Sequence, residues 1–132
     1  MCSSDLNQEF FRKEYLANME KVIGWVLSFW ESLDIFLERG FGFCVLSEGE
    51  IASWCLSVYA SGMHYELGLE TISLFRKRGL GTIAAALAVE YCFQKGFVPH
   101  WHCWNDNLGS IAIAQKIGFK RSMGYQVIRI SL

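Results

Sequence analysis

The amino-acid sequence predicts one α/β domain over residues 1–132: a mixed sheet, α+β in its antiparallel part, with helices on its faces and one βαβ unit. Three observations predict it. The apolar period is helical over the first forty residues, moves towards two between Gly42 and Thr71, and is helical again from Leu80. The length, 132 residues, is that of one domain. The composition, 52% hydrophobic and 15% aromatic with a single proline, describes a packed core and not a disordered segment.

The elements follow in order. Phe11, Tyr15, Met19, Val22, Val26 and Trp30 form one apolar stripe at helical spacing. Ser32 caps a shorter helix carrying Leu33, Phe36 and Leu37, and Gly40 stands where a helix ends in a left-handed residue. Phe43–Leu46 reads as a strand, Ser47–Glu50 as a hairpin turn, and Ile51–Tyr59 as a second strand. A turn at Ser61-Gly62 leads to a third strand, Tyr65–Thr71. Leu80, Ile83, Ala84, Leu87, Ala88, Tyr91 and Cys92 then follow the i, i+3, i+4 template until Gly96. Val98–Trp104 is a strand, parallel to Tyr65–Thr71 if the helix is a right-handed crossover. Asn107 caps a last helix with Ile111, Ala112 and Ile117 inward and Gly118 as its stop. Phe119 to Ile130 reads as one or two strands broken at Ser122–Gly124, giving the order α-α-β-β-β-α-β-α-β(β).

Charge and cysteine usage bound the function. A formal net charge of −1 argues against an electrostatic nucleic-acid binder. Val22–Trp30 falls short of the roughly 20 residues that span a bilayer, and Met1–Glu9 has no apolar run of signal-peptide type. Five cysteines in apolar segments, without a CxxC pair, fit reduced thiols in a cytoplasm.

The junction Thr71–Thr82 carries the chemistry. Two glycines, Gly79 and Gly81, open a helix, so free N–H groups and the helix dipole form an anion site beside Arg76, Lys77 and Arg78. Tight turns also use glycine for steric reasons alone. The combination of strand, Arg-x-x-Gly-x-Gly and a strongly patterned helix is the informative signal.

This arrangement resembles the GNAT superfamily, the Gcn5-related N-acetyltransferases, whose pyrophosphate loop Gln/Arg-x-x-Gly-x-Gly/Ala is matched by Arg76-x-x-Gly79-x-Gly81. Asn107-Leu-Gly-Ser110, followed by Gly118-Phe119, resembles that family's Asn-x-x-Ala/Ser helix ending in Gly-Phe. The segments Gly40–Leu46, Glu66–Thr71 and Trp101–Asn105 are similar to a bacterial subgroup, of which some members are thought to protect against amine-bearing antibiotics.

The resemblance implies an N-acetyltransferase that moves acetyl from acetyl-CoA directly to a primary amine of a small molecule. It implies that Arg76, Lys77, Arg78, Gly79, Leu80, Gly81 and Thr82 bind the pyrophosphate, largely through main-chain N–H groups. Leu69 to Ile72, with Thr71 among them, would hydrogen-bond the pantetheine in a splay between the two parallel strands. Asn107 and Ser110 would lie near the thioester. The attacking amine must lose a proton, and Glu66 and Glu70, on one face of the strand beside the splay, are the candidate bases. The competing reading pairs one of them with an arginine or turns it to solvent.

The chain departs from the family pattern twice. Ala114 occupies the position of the usual general-acid tyrosine, which leaves the acid to Tyr125, to water or to no residue. No strand is legible before the helices, so the chain reads as a short version or as the C-terminal portion of a longer protein. Both departures suit an alternative, a non-catalytic acyl-CoA-binding or assembly module. A missing first strand would also leave Phe43–Leu46 as an apolar edge, from which a homo-oligomer is expected. His100 and His102 share a strand face but have no third metal ligand at clear spacing, so no metal is expected and hydrogen-bonded histidines beside the acceptor are. Cys103 faces the opposite side and forms no nucleophile pair with them. Trp54 and Trp101 read as core, while Trp104 sits where the strand opens into the splay.

Overall fold

The computed structural model describes residues 2–103 and 106–119. Five strands, β1 Cys2–Asp5, β2 Gly42–Ser47, β3 Glu50–Ser61, β4 His64–Thr71 and β5 Val98–Trp101, form one sheet in that order. The helices are α1 Gln8–Phe11, α2 Met19–Phe29, α3 Leu33–Arg39, α4 Leu80–Lys95 and α5 Leu108–Lys116, with a 3-10 turn at Ser73–Phe75. β1 to β4 pair antiparallel, and β4 pairs with β5 in parallel across the α4 crossover. The mixed sheet around one βαβ unit is therefore observed.

Two layers cover the sheet. On one face Phe10, Val22, Val26 and Phe36 pack with Cys44, Trp54 and Leu56. On the other, Ala84, Ala85, Ala88 and Cys92 of α4 meet Val45, Cys55 and Leu67. Covered on both sides, β3 is buried at every residue from Ile51 to Ser57, which is why it has no polar face. Its two serines are satisfied: Ser57 Oγ accepts from Phe41 N–H at 3.0 Å, and Ser53 Oγ donates to Glu70 O at 3.0 Å. None of the described helices is long and apolar enough to cross a membrane.

Several expectations are corrected. A first strand exists: β1 pairs with β2 from Cys2↔Leu46 to Asp5↔Phe43. Only Ser4 of its four residues is even partly buried, so backbone pairing, and no side-chain pattern, makes it a strand. β2 is thus an inner strand, and the ground for self-association through Phe43–Leu46 falls away. Val45, 1% exposed, lies in the α4-side core.

The long N-terminal stripe is two helices. Asn18 adopts a left-handed conformation, φ 74°, its Nδ2 donates to Ile51 O at 2.9 Å, and Ile51 N–H donates to Ala17 O at 3.1 Å. The start of β3 captures the chain there, and Tyr15 is left 80% exposed. Phe11, Met19, Val22 and Val26 keep their places in the core.

Ser32 caps α3 as expected, with its Oγ accepting from Ile35 N–H at 3.1 Å. Gly40 is not left-handed, since its φ is −108°. Space requires it, because a Cβ would stand 2.8 Å from Phe36 Cδ1 and 2.9 Å from Ser57 Oγ. In α5 the packing face is Ile113, Ala114 and Ile117; Ala112 is exposed. The alternating Ile-Ala run offers two faces, and contact of Ile113 with the start of α4 selects one. β5 stops at Trp101. Trp104, Asn105, Tyr125 and the strands expected from residue 120 onward lie outside the described residues.

Two outcomes follow from this packing. Trp25 lies over Gly68, where a Cβ would meet Val58 Cγ1 at 2.7 Å and Trp25 Cζ3 at 2.9 Å. Gly68→Ala is expected to destabilise by about 1–3 kcal/mol through overpacking, read from urea unfolding; an unchanged midpoint would contradict this seating of Trp25. Cys44, Cys55 and Cys92 are buried, whereas Cys2 and Cys103 are exposed. Burial pushes the Cys44 thiol up to about 12 and the Cys92 thiol up to about 11, and raises Cys55 as well. A disulfide reagent at pH 8 should therefore titrate two thiols rapidly in the native protein and all five after unfolding.

Candidate functional site

The site begins where two parallel strands stop pairing. β4 and β5 are in register from His64↔Val98 to Leu67↔Trp101, and β4 then continues to Thr71 without β5. Ile72 N–H donates to Ala52 O, at 2.9 Å, on the β3 side. Strand alternation consequently turns the N–H and C=O of Leu69 and Thr71 towards the gap left by β5. Thr71 is engaged locally: its N–H donates to Glu70 Oε1 at 3.1 Å, and its C=O accepts from Arg76 Nε at 3.2 Å. Leu69 presents its main chain to the splay. Of Leu69 to Ile72, the geometry leaves Leu69 best placed for an incoming amide.

The loop after β4 leads directly to α4. Lys77 and Gly79 both have left-handed backbone, φ 64° and 77°, which aims the chain into the helix with no side chain capping its N-terminus. The first N–H groups of α4 are left to bind an acceptor from outside the helix. Arg76, Lys77 and Arg78 are exposed around them, and the Arg78 guanidinium lies 5.4 Å from the Phe75 ring centroid. Leu80 is buried and anchors the turn. Gly81 is a close-packing position: a Cβ would meet Thr71 Oγ1 at 3.1 Å and Ile113 Cδ1 at 3.2 Å, which brings β4, α4 and α5 together. A bulky residue at Gly81 would disturb that packing, so Gly81 does not isolate anion binding from folding. Thr82 stands in the first turn of α4.

The two candidate bases have separate fates. Glu70 accepts from Arg76 at 3.5 Å as well as from Thr71 N–H, so it is the carboxylate that pairs with an arginine. Glu66 stands beside the last paired residues of β4 and meets His102 across the splay apex, with Oε1 2.7 Å from Nδ1. One turn of the pleat away, His64 Nδ1 lies 2.8 Å from His100 Nε2. The histidines are hydrogen-bonded, and no group of three His, Cys, Asp or Glu among the described residues is arranged to hold a metal ion. Glu66 and His102 are 36 residues apart, so only the parallel register, and no short-range motif, brings them together.

Asn107 and Ser110 open α5 beside β5. Asn107 Oδ1 accepts from Ser110 N–H at 3.2 Å as the helix cap, and Ser110 Oγ accepts from Trp101 Nε1 at 3.0 Å. Asn107 thereby caps α5, and Ser110 holds it to the end of β5. Ala114, at the position of the family's acid, is 6% exposed and packs in the core. On the α2 side of β4 a cleft of about 530 Å³ is lined by Lys21, Gly24, Trp25, Trp54, Glu70 and Arg76, among others.

Known proteins share this fold. A family model described as GNAT acetyltransferase matches residues 3–128. The N-acetyltransferase YdfB of Bacillus subtilis is 34% identical over 99 residues, 75% of this chain and 38% of YdfB. A GCN5-related N-acetyltransferase-like protein of Streptococcus suis superposes with a TM-score of 0.75 at 21% identity, over 89% of this chain and 45% of its own. The aminoglycoside acetyltransferase AAC(6')-Iy, solved with a CoA-linked bisubstrate analogue, superposes with a TM-score of 0.70 at 15% identity, over 99% and 98%. The chain spans less than half the length of YdfB and of the streptococcal protein. With the family model matching almost from end to end, and the same fold in the solved acetyltransferases, the chain belongs to the GNAT acetyltransferase family.

Proposed function

We propose that this chain transfers acetyl from acetyl-CoA to a primary amine of a small molecule, by direct attack in a ternary complex. The observation that carries the reading is the parting of β4 from β5 beside an uncapped helix N-terminus. An extended thioester arm needs main-chain partners along its length and an anion site at its pyrophosphate end. Leu69 offers the first, and the N–H groups of Leu80, Gly81 and Thr82 offer the second, with Arg76, Lys77 and Arg78 around them. Thr71 and Ile72 shape the strand end; Asn107 and Ser110 fix the far wall. Solved neighbours in complex with CoA or with a CoA-linked bisubstrate analogue support the use of an acyl-CoA.

Glu66 stands at the splay apex, where the amine would meet the thioester, and Glu70 serves the loop through Arg76. The acceptor is proposed to be a small amine. One solved neighbour holds the aminoglycoside sisomicin. If the acceptor enters by the α2-side cleft, the described lining, with Lys21 and Arg76 beside Glu70, favours an acceptor of low positive charge over a polycation. A bacterial cytoplasm is the proposed setting, matching relatives from Bacillus subtilis and Streptococcus suis.

Binding comes first. CoA at one hundred times its Kd should stabilise the fold by about 2.7 kcal/mol, read as a rise in Tm. Arg78→Ala should weaken CoA binding roughly tenfold while leaving the ligand-free Tm within a degree or two, since it removes one charge-assisted phosphate contact. No stabilisation by millimolar CoA would refute the reading. Turnover comes second. Thiol release from acetyl-CoA should appear with at least one of tyramine, glycinamide, butylamine or sisomicin, the first three ahead of the last. CoA binding without thiol release would replace the enzyme with the acyl-CoA-binding module.

A further inference from the structure

We propose that His64 and His100 form a two-histidine site for a divalent transition-metal ion that prefers nitrogen ligands, Cu2+ above Ni2+ and Zn2+. His64 opens β4 and His100 lies in β5, both exposed. Nδ1 of His64 stands 2.8 Å from Nε2 of His100. Along β5 itself the neighbouring histidine is His102; the partner that the fold supplies lies 36 residues earlier in the chain. The parallel register sets the two side by side. His64 pairs with Val98 and Glu66 with His100, so the histidines are diagonal neighbours on one face of the sheet. The opposite face belongs to the α4 core, through Tyr65, Leu67 and Trp101. The backbone here is firmly held, since Val98 N–H donates to Met63 O at 2.8 Å and Tyr65 stacks on Phe97 at 4.2 Å. Ligands carried on paired strands are placed more precisely than ligands on loops.

The separation selects the metal. Two metal–nitrogen bonds of about 2.0–2.1 Å place their nitrogens about 2.9 Å apart at a right angle and about 3.4 Å apart at the tetrahedral angle. The observed 2.8 Å is that of neighbouring positions in a square or tetragonal site, the preference of Cu2+ and Ni2+. Affinity along the first-row ions peaks at the same Cu2+. The ring centroids are 5.0 Å apart with planes at 39°, so the rings meet by their edges. Each ring turns to bring its lone pair onto the shared ion, a movement open to two exposed side chains. No group of three His, Cys, Asp or Glu among the described residues is arranged to hold an ion, so water takes the remaining positions.

In the metal-free pair one neutral imidazole donates its N–H to the other. The ion takes both inner lone pairs, and each ring then carries its hydrogen on the outer nitrogen, Nε2 of His64 and Nδ1 of His100. Glu66, the register partner of His100, adds a carboxylate charge to the same face. The other titratable groups beside the pair, among the described residues, are His102 on β5 and Tyr59 on β3, which pairs with Glu66. The strands part only after Leu67 and Trp101, so the ion joins β4 to β5 at the end away from the splay.

The test is metal titration of the tag-free chain near neutral pH, with the exposed thiols of Cys2 and Cys103 alkylated so that they do not compete. Calorimetry should find Cu2+ bound more tightly than Ni2+ or Zn2+, and no binding of Mg2+, which takes oxygen ligands. Either His64→Gln or His100→Gln should lower the Cu2+ affinity at least about tenfold, since each removes one of two ligands. Both side chains are exposed, so the metal-free Tm of either variant should stay within a degree or two of the wild type's. Electron paramagnetic resonance of the bound Cu2+ should show two imidazole nitrogens in the wild type and one in either variant. Well below the histidine range binding should disappear, because a protonated imidazole has no lone pair to give. A Cu2+ affinity unchanged by both substitutions places the ion elsewhere and overturns the site. Loss through only one of them, or a single imidazole nitrogen in the wild type, leaves one ligand and overturns it as well. None of these readouts uses turnover, so the outcome stands apart from acetyl transfer.

Discussion

A strand that returns parallel to its neighbour must cross the sheet face before it pairs, and β5 does so after α4. Much of the molecule is arranged around that requirement. The crossover starts at the end of β4, so a turn, an uncapped helix N-terminus and three basic residues collect at one point. It finishes at β5, which stays beside β4 for four residues and then leaves. The gap is therefore the geometric consequence of a long strand paired with a short one. Main-chain groups that a full ladder would have consumed lie beside the uncapped N-terminus of α4.

The interior permits this gap because β3 carries the load of both layers. On the α4 side, Tyr91 of α4 stacks on Phe41, just before β2, at 4.4 Å, and Tyr65 of β4 stacks on Phe97, just before β5, at 4.2 Å. On the other side Trp25 meets Trp54 edge-on at 6.0 Å. Such pairs contribute about 0.5–1.5 kcal/mol each beyond their burial. The Glu70–Arg76 pair, with side chains 38% and 60% exposed, belongs to a class worth only about 0–1 kcal/mol. Its consequence is structural: it fixes the loop to the strand end.

The departure at Ala114 also has a physical reading. That residue packs in the core with Ile113 and Ile117 near it, so α5 uses the position for docking onto α4. A wall of the site is thereby built from Trp101 and Ser110, whose hydrogen bond joins β5 to α5.

Wherever local periodicity and burial agree, the sequence by itself determined the element. The patterned α4, the β2–β3–β4 meander, the Ser32 and Asn107 caps and the glycine-opened loop all follow from residues within a few positions of one another. Tertiary structure decided what depends on distant partners. β1 is a strand because β2 lies beside it, and its Cys-Ser-Ser-Asp residues carry no pattern of their own. The N-terminal stripe breaks because Ile51 binds Ala17 and Asn18, a contact across more than thirty residues. Glu66 and Glu70 share one strand and one period, and no local property separates them. They part because one faces Arg76, fixed by the turn, and the other faces His102, delivered by the parallel register. A local pattern encodes which face a side chain takes; which group meets it there is encoded only in the pairing of strands.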